Sequence, residues 1–130
     1  MDIARRELLA CAIFTGTVHL LGPAKALGAQ NTYGLIAKLV SVAGRRDELI
    51  AILAESTVQM PGCVSYVIAK DAEDENTLWV TEVWESVTAH DESLSLPAVK
   101  AAIGKGRPLI ADFSRVAVTN PVAGVRTPAK

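Results

Sequence analysis

Cysteine, histidine, aromatic residues and clustered basic charge are what this 130-residue sequence has least of. Each scarcity closes off a class of protein. Two cysteines, Cys11 and Cys63, make no disulfide framework of the kind that staples small secreted scaffolds. Two histidines, His19 and His90, with no carboxylate–histidine pair at ligand spacing on one helix, leave no metal-binding signature. Thirteen basic residues stand against fourteen acidic ones, for a formal charge of -1 and no Lys/Arg stripe, so there is no electrostatic footprint for nucleic acid. Gly-rich phosphate loops, a G-x-S-x-G elbow and internal repeats are also missing. Half of the residues are hydrophobic but only 5% are aromatic, which describes one domain with a core of aliphatic side chains.

The first thirty residues differ from the rest. Arg5 and Arg6 precede an apolar run from Leu8 to Leu21, and small residues follow, with Ala24-Lys25-Ala26 forming an A-x-A-like cleavage site and Ala29 a second candidate. Residues 1–29 therefore read as an export signal, and Arg5-Arg6-Glu7-Leu8-Leu9 is twin-arginine-like. The competing reading is an amphipathic helix that stays on the folded protein and packs on a partner. Gly16 and His19 interrupt the run, which falls short of the ~18 uninterrupted apolar residues of a spanning helix. No stable membrane insertion is expected after processing. Cleavage places the protein outside the cytoplasm, in a periplasm-like compartment; retention leaves it cytoplasmic.

Residues 30–121 read as the folded domain, and 122–130, with two further basic residues and Pro128, as a C-terminal tail with little to pack. "YGLIAKLVSV" (33–42) is an apolar, β-branched run and reads as a buried strand. A helix follows Gly44, with Asp47 and Glu48 near its positive end, Leu49, Leu53 and Met60 at helical spacing, and Pro61-Gly62 as its stop. "CVSYVIA" (63–69) and "TLWVTEVWE" (77–85) are two strands of a hairpin joined by an acidic loop. Ser86 to about Ser95 and Pro97 to Lys105 read as helical, and "LIADFSRVAVT" (109–119) as a fourth strand. The order is that of a ferredoxin-like split βαβ domain, an α+β fold with a four-stranded antiparallel sheet and helices on one face. Apolar residues on both faces of the first two strands call for a cover on the second face, which a homodimer supplies.

"PGCVSY" after a helix, then "WVTEVWES", then "AHDES" resemble the antibiotic biosynthesis monooxygenase family, over roughly Thr32 to Thr119. The resemblance implies a small dimeric α/β barrel. It also implies oxidation of an aromatic quinol or phenol by molecular oxygen without metal, flavin or heme, so no cofactor is expected. A heme-degrading branch shares the fold and carries its iron-ligating histidine later on the second helix. That stretch here is "AVKAAIGKG", with Ile103 and no histidine, which argues against heme.

Within this frame four residues stand out. Strand alternation puts Leu78, Val80, Glu82 and Trp84 on one face. A carboxylate at Glu82, among apolar neighbours, needs a donor or takes up a proton; the plainer reading pairs it with Arg115 or Lys38 across the sheet. His90 follows Trp84 by six residues and can swing back over the strand end. Imidazole has a reference pKa of ~6.5, suited to proton transfer. The alternative is a helix histidine bonded to a carbonyl or to Glu82. Tyr66 is a phenolic donor or a core aromatic. The catalytic assignment is His90, as base or orienting donor; Trp84, Tyr66 and Glu82 are assigned to substrate binding. Cys63 reads as a small core residue, and Asp71, Glu73, Asp74, Glu75, Asp91 and Glu92 as solvated charge. A non-catalytic dimeric barrel that binds a small ligand, or serves in stress, is the rival function, since fold alone does not decide.

Overall fold

The computed structural model describes residues 32–124. The export signal assigned to 1–29 and residues 125–130 of the tail lie outside the described residues. β1 (Tyr33–Ser41) forms where alternation is cleanest: Tyr33, Leu35, Ala37, Leu39 and Ser41 are buried, while Ile36, Lys38 and Val40 lie half-buried on the other face. Gly44, at φ +74°, makes the turn into α1 (Arg46–Glu55), whose Leu49 is fully buried.

α1 ends earlier than its pattern suggests. It tightens into a 3-10 turn at Ser56–Val58, so Met60 belongs to the following loop and Pro61 does not stop the helix. The cause is local. Ser56 and Thr57 donate their hydroxyls to the carbonyls of Leu53 and Ala54, each at 2.7 Å, satisfying acceptors that continued helix would otherwise fill.

β2 (Cys63–Lys70) and β3 (Thr77–Trp84) form the expected hairpin. Its acidic loop is not merely solvated charge. The Asp71 carboxylate accepts the Trp79 indole N–H at 2.7 Å and the backbone N–H groups of Glu73 and Asp74 at 2.9 Å each, which hold its pKa down to about 2. Arg46 Nη1 donates to the carbonyls of Asp71, Asp74 and Thr77, tying α1 to the same loop.

α2 (Val87–Ser93) starts at Ser86, whose Oγ accepts the Ala89 N–H at 3.0 Å. α3 (Pro97–Gly106) opens on proline, tolerated in a first turn, and leads through a 3-10 turn at Arg107–Leu109 into β4 (Ile110–Thr119). Strands run β2-β3-β1-β4, every neighbour antiparallel, and the helices pack on the face that carries Leu35, Leu39, Leu78 and Val80. This is the ferredoxin-like α+β fold that the element order predicts. A register shift between Ile36 and Ala37 bulges β4 and keeps Phe113 and Arg115 opposite Leu39 and Ala37, on the helix side. The other face is open in the single chain: a row of Val67, Thr81, Ile36 and Ala117 crosses it, and Val67 is 53% exposed. Among the described residues no helix is long and apolar enough to cross a membrane.

Candidate functional site

Period-two alternation along β3 brings Glu82 and Trp84 to the helix face, as expected. Tyr66 lies directly opposite Glu82 on β2, so the hairpin register sets those two side chains side by side. The Ser86 cap then turns the chain back at once, and α2 carries His90 over the end of β3. His90 is buried, with its ring edge-on to the Trp84 indole at 5.5 Å and 83°. Its other neighbour is Tyr33, 5.1 Å away at the start of β1 and paired across the strands with Trp84. Sequence reasoning passes over Tyr33, because only the β1–β3 register reveals it.

The polar contacts give each group a defined state. Trp84 Nε1 donates to Glu82 Oε2 at 2.7 Å, and His90 Nε2 stands 3.8 Å from the same oxygen, beyond hydrogen-bond reach. Burial raises the Glu82 pKa above its ordinary 4.5; the indole bond, His90 and Arg115 pull the other way and lose. Neither partner of the simple ion-pair reading is in place. Lys38 sits on the opposite face, 5.9 Å over the Trp79 ring, and Arg115 acts on Glu82 only at longer range. The carboxylate instead takes its hydrogen bond from an indole two residues along the same strand.

Asp91, read from the sequence as solvated charge, reaches His90 Nδ1 at 3.1 Å. An ionised carboxylate only accepts, so Nδ1 carries the ring proton. In the neutral ring Nε2, the nitrogen nearest Glu82, then holds the lone pair. Ser93 donates to the His90 carbonyl at 2.6 Å, which stiffens this turn of α2. The Tyr66 hydroxyl forms no hydrogen bond among the described residues, and burial raises its phenol pKa first, with Glu82 adding to the effect. Cys63 is half-buried, its thiol pushed up to about 11, as suits a packing residue.

His90, Trp84, Tyr66 and Glu82 all line one cavity of about 560 Å³ between sheet and helices, within the roughly 300–1,000 Å³ usual for small-molecule sites. Leu35, Ala37, Val80 and Trp84 make its floor, and Val99 and Ala102 of α3 a wall. Leu94, Ile103 and Phe113 also line it but are 45%, 38% and 54% exposed, so they frame the mouth. Arg107 and Arg115, exposed as well, complete that rim. Among the described residues no group of three or more His, Cys, Asp or Glu side chains is placed to hold a metal ion.

Fold and cavity together define a small α+β domain with an apolar pocket and one histidine at its buried end. Residues 32–105 match the model of the antibiotic biosynthesis monooxygenase family, and the chain belongs to that family. A solved structure from Chloroflexus aurantiacus, named for the same family, is 52% identical, with 73% of this chain and 97% of that one covered and a TM-score of 0.71. Another so named, from Caulobacter crescentus, is 21% identical over 72% of this chain and 92% of its own, with a TM-score of 0.61. SnoaB, a cofactor-independent oxygenase from Streptomyces nogalater, is 15% identical over 70% and 93%, also at 0.61. The last two share the fold. A search of curated proteins gives no match.

Proposed function

We propose that this protein is a cofactor-independent monooxygenase that oxidises an aromatic phenol or quinol with molecular oxygen. One observation carries the reading: His90, buried and held through Nδ1 by Asp91, lines an apolar cavity with Nε2 as the ring nitrogen nearest Glu82. Family membership and the name given to SnoaB support it.

In this mechanism a phenol enters with its ring on Trp84 and its hydroxyl toward His90. Nε2 takes the phenolic proton, and the apolar walls keep water from solvating the anion that results. That electron-rich anion passes an electron to oxygen, and the two radicals combine at ring carbon. One oxygen atom stays on the product as a quinone carbonyl and the other leaves as water, so the phenol supplies every electron and no outside reductant enters. Tyr66 donates to the substrate oxygen. Glu82, whose burial favours its neutral form, supplies a second polar contact beside it.

The working unit in this reading is a homodimer. Support comes from the uncovered row Val67, Thr81, Ile36 and Ala117, which a second copy of the sheet would bury. The twin-arginine-like segment supports export with loss of residues 1–29. The test is oxygen uptake with a panel of hydroquinones and naphthols and no added cofactor. Uptake is expected, and His90→Ala should lower turnover ~10²-fold or more with assembly unchanged. Full activity in His90→Ala removes its role as base. No uptake with any member of the panel, while the compounds still bind, leaves a ligand-binding barrel.

A further inference from the structure

We infer that the ligand of this cavity is an aromatic acid, its ring system on the apolar floor and its carboxylate between Arg107 and Arg115 at the mouth. The inference rests on reading the cavity as the substrate site and names the class of molecule that fills it.

The cavity sorts its polar groups by depth. His90, Glu82 and Tyr66 sit at the buried end, and the two guanidinium groups at the rim, with apolar side chains between. Ser56 and Ser93 also line the cavity, but their hydroxyls already donate to the carbonyls of Leu53 and His90. Neither the Arg107 nor the Arg115 side chain has an ion pair or hydrogen bond among the described residues; the paired arginines are Arg45, just before α1, and Arg46 in its first turn. Glu82 is the one carboxylate lining the cavity, and it is engaged by the Trp84 indole. The mouth therefore carries uncompensated positive charge.

Charge next to exposed Leu94, Ile103 and Phe113 discriminates among ligands. A neutral aromatic that buried those side chains would also strip water from the guanidinium groups and give nothing back. A carboxylate returns charge-assisted, bidentate hydrogen bonds, for which the planar guanidinium is shaped. Spacing agrees with a fused-ring acid. Arg115 belongs to the sheet row of Ala37 and Val80, two residues along β3 from Glu82. With β1 between the two strands, that is ~7 Å along the strands and ~10 Å across them, or ~12 Å between backbones, which an arginine side chain reaching inward shortens toward the length of a fused-ring acid.

Calorimetric titration of the intact protein with 2-naphthoate and with 2-naphthylmethanol tests the inference, since neither has a phenol to oxidise. The acid is expected to bind about tenfold tighter at low salt, equivalent to ~1.4 kcal/mol, with the preference shrinking as salt screens the rim. Arg107→Gln with Arg115→Gln should abolish the preference while leaving the alcohol's affinity unchanged; both positions are exposed, so folding is not at stake. Equal affinity for the two compounds, no binding of either, or a preference that survives in the double variant overturns it. The readout is separate from turnover. Arginine-dependent acid binding without oxygen uptake keeps the ligand class and removes the monooxygenase, whereas turnover without charge preference does the reverse.

Discussion

Replacing Trp84 with phenylalanine tests how the buried end of the cavity is held together. The indole is 1% exposed and donates to a Glu82 carboxylate whose side chain is only 11% exposed. Loss of about three ring atoms costs ~2 kcal/mol of packing. Loss of a hydrogen bond to a poorly hydrated carboxylate adds ~1.5 kcal/mol, the low end for bonds to charged groups. The sum is ~3–4 kcal/mol near neutral pH, and it should vary with pH in a set direction. Because burial places the Glu82 pKa above its ordinary 4.5, the stability it contributes is full below that value and is lost as pH rises through the folded pKa. The indole bond holds that pKa down. Removing the bond lifts it further, so the penalty in Trp84→Phe grows as pH rises above the parent's folded Glu82 pKa, itself above 4.5. Urea unfolding over that rise, at one protein concentration, measures it. In a Glu82→Gln background the side-chain amide oxygen still accepts but cannot titrate, and the phenylalanine penalty should flatten with pH and fall by ~1 kcal/mol. A penalty that is independent of pH with Glu82 intact refutes the reasoning.

Three further outcomes are expected. Asp91→Ala should change the tautomer of the His90 ring, seen in its nitrogen–proton NMR couplings, and lower turnover, whereas Asp91→Asn, which keeps an accepting oxygen on Nδ1, should restore the tautomer; an unchanged tautomer in the alanine variant denies Asp91 its positioning role. Gly62→Ala should cost ~1–3 kcal/mol and reduce activity together, because the backbone there is at φ +79° and a new Cβ would stand 2.6 Å from Ala89 Cβ on the helix that carries His90; wild-type melting would count against it. Val67→Glu should give a folded monomer where the parent sediments as a dimer, and a parent that is monomeric at micromolar concentration sinks the homodimer.

The elements were readable because their signals are local. Alternation in 33–41 and 77–84 is a period of two, and Ser86 and Pro97 mark helix starts by their own chemistry. The end of α1 was misplaced for the same reason. Leu49, Leu53 and Met60 keep helical spacing, but two hydroxyls that bond back to the chain decide where the helix stops. Alternation alone also put Glu82 beside Trp84, and the return of α2 brought His90 near them. The placing of Trp84 and His90 in one cleft therefore followed from short-range geometry, whereas Tyr66 joins them through the β2–β3 register.

What the sequence alone determined, then, is the strand and helix order and the face each strand residue takes, since both follow from neighbours a few residues apart. Tertiary structure decided the chemistry around those side chains. Pairing of β1 with β3 put Tyr33 against the imidazole, and rotamers within α2 aimed Asp91 at Nδ1. The bulge in β4 left Arg115 on the cavity side, with Lys38 across the sheet from it. A hydrogen bond of 2.7 Å, or a carboxylate's choice between an arginine and an indole, depends on where distant segments come to rest. Periodicity carries no information about that.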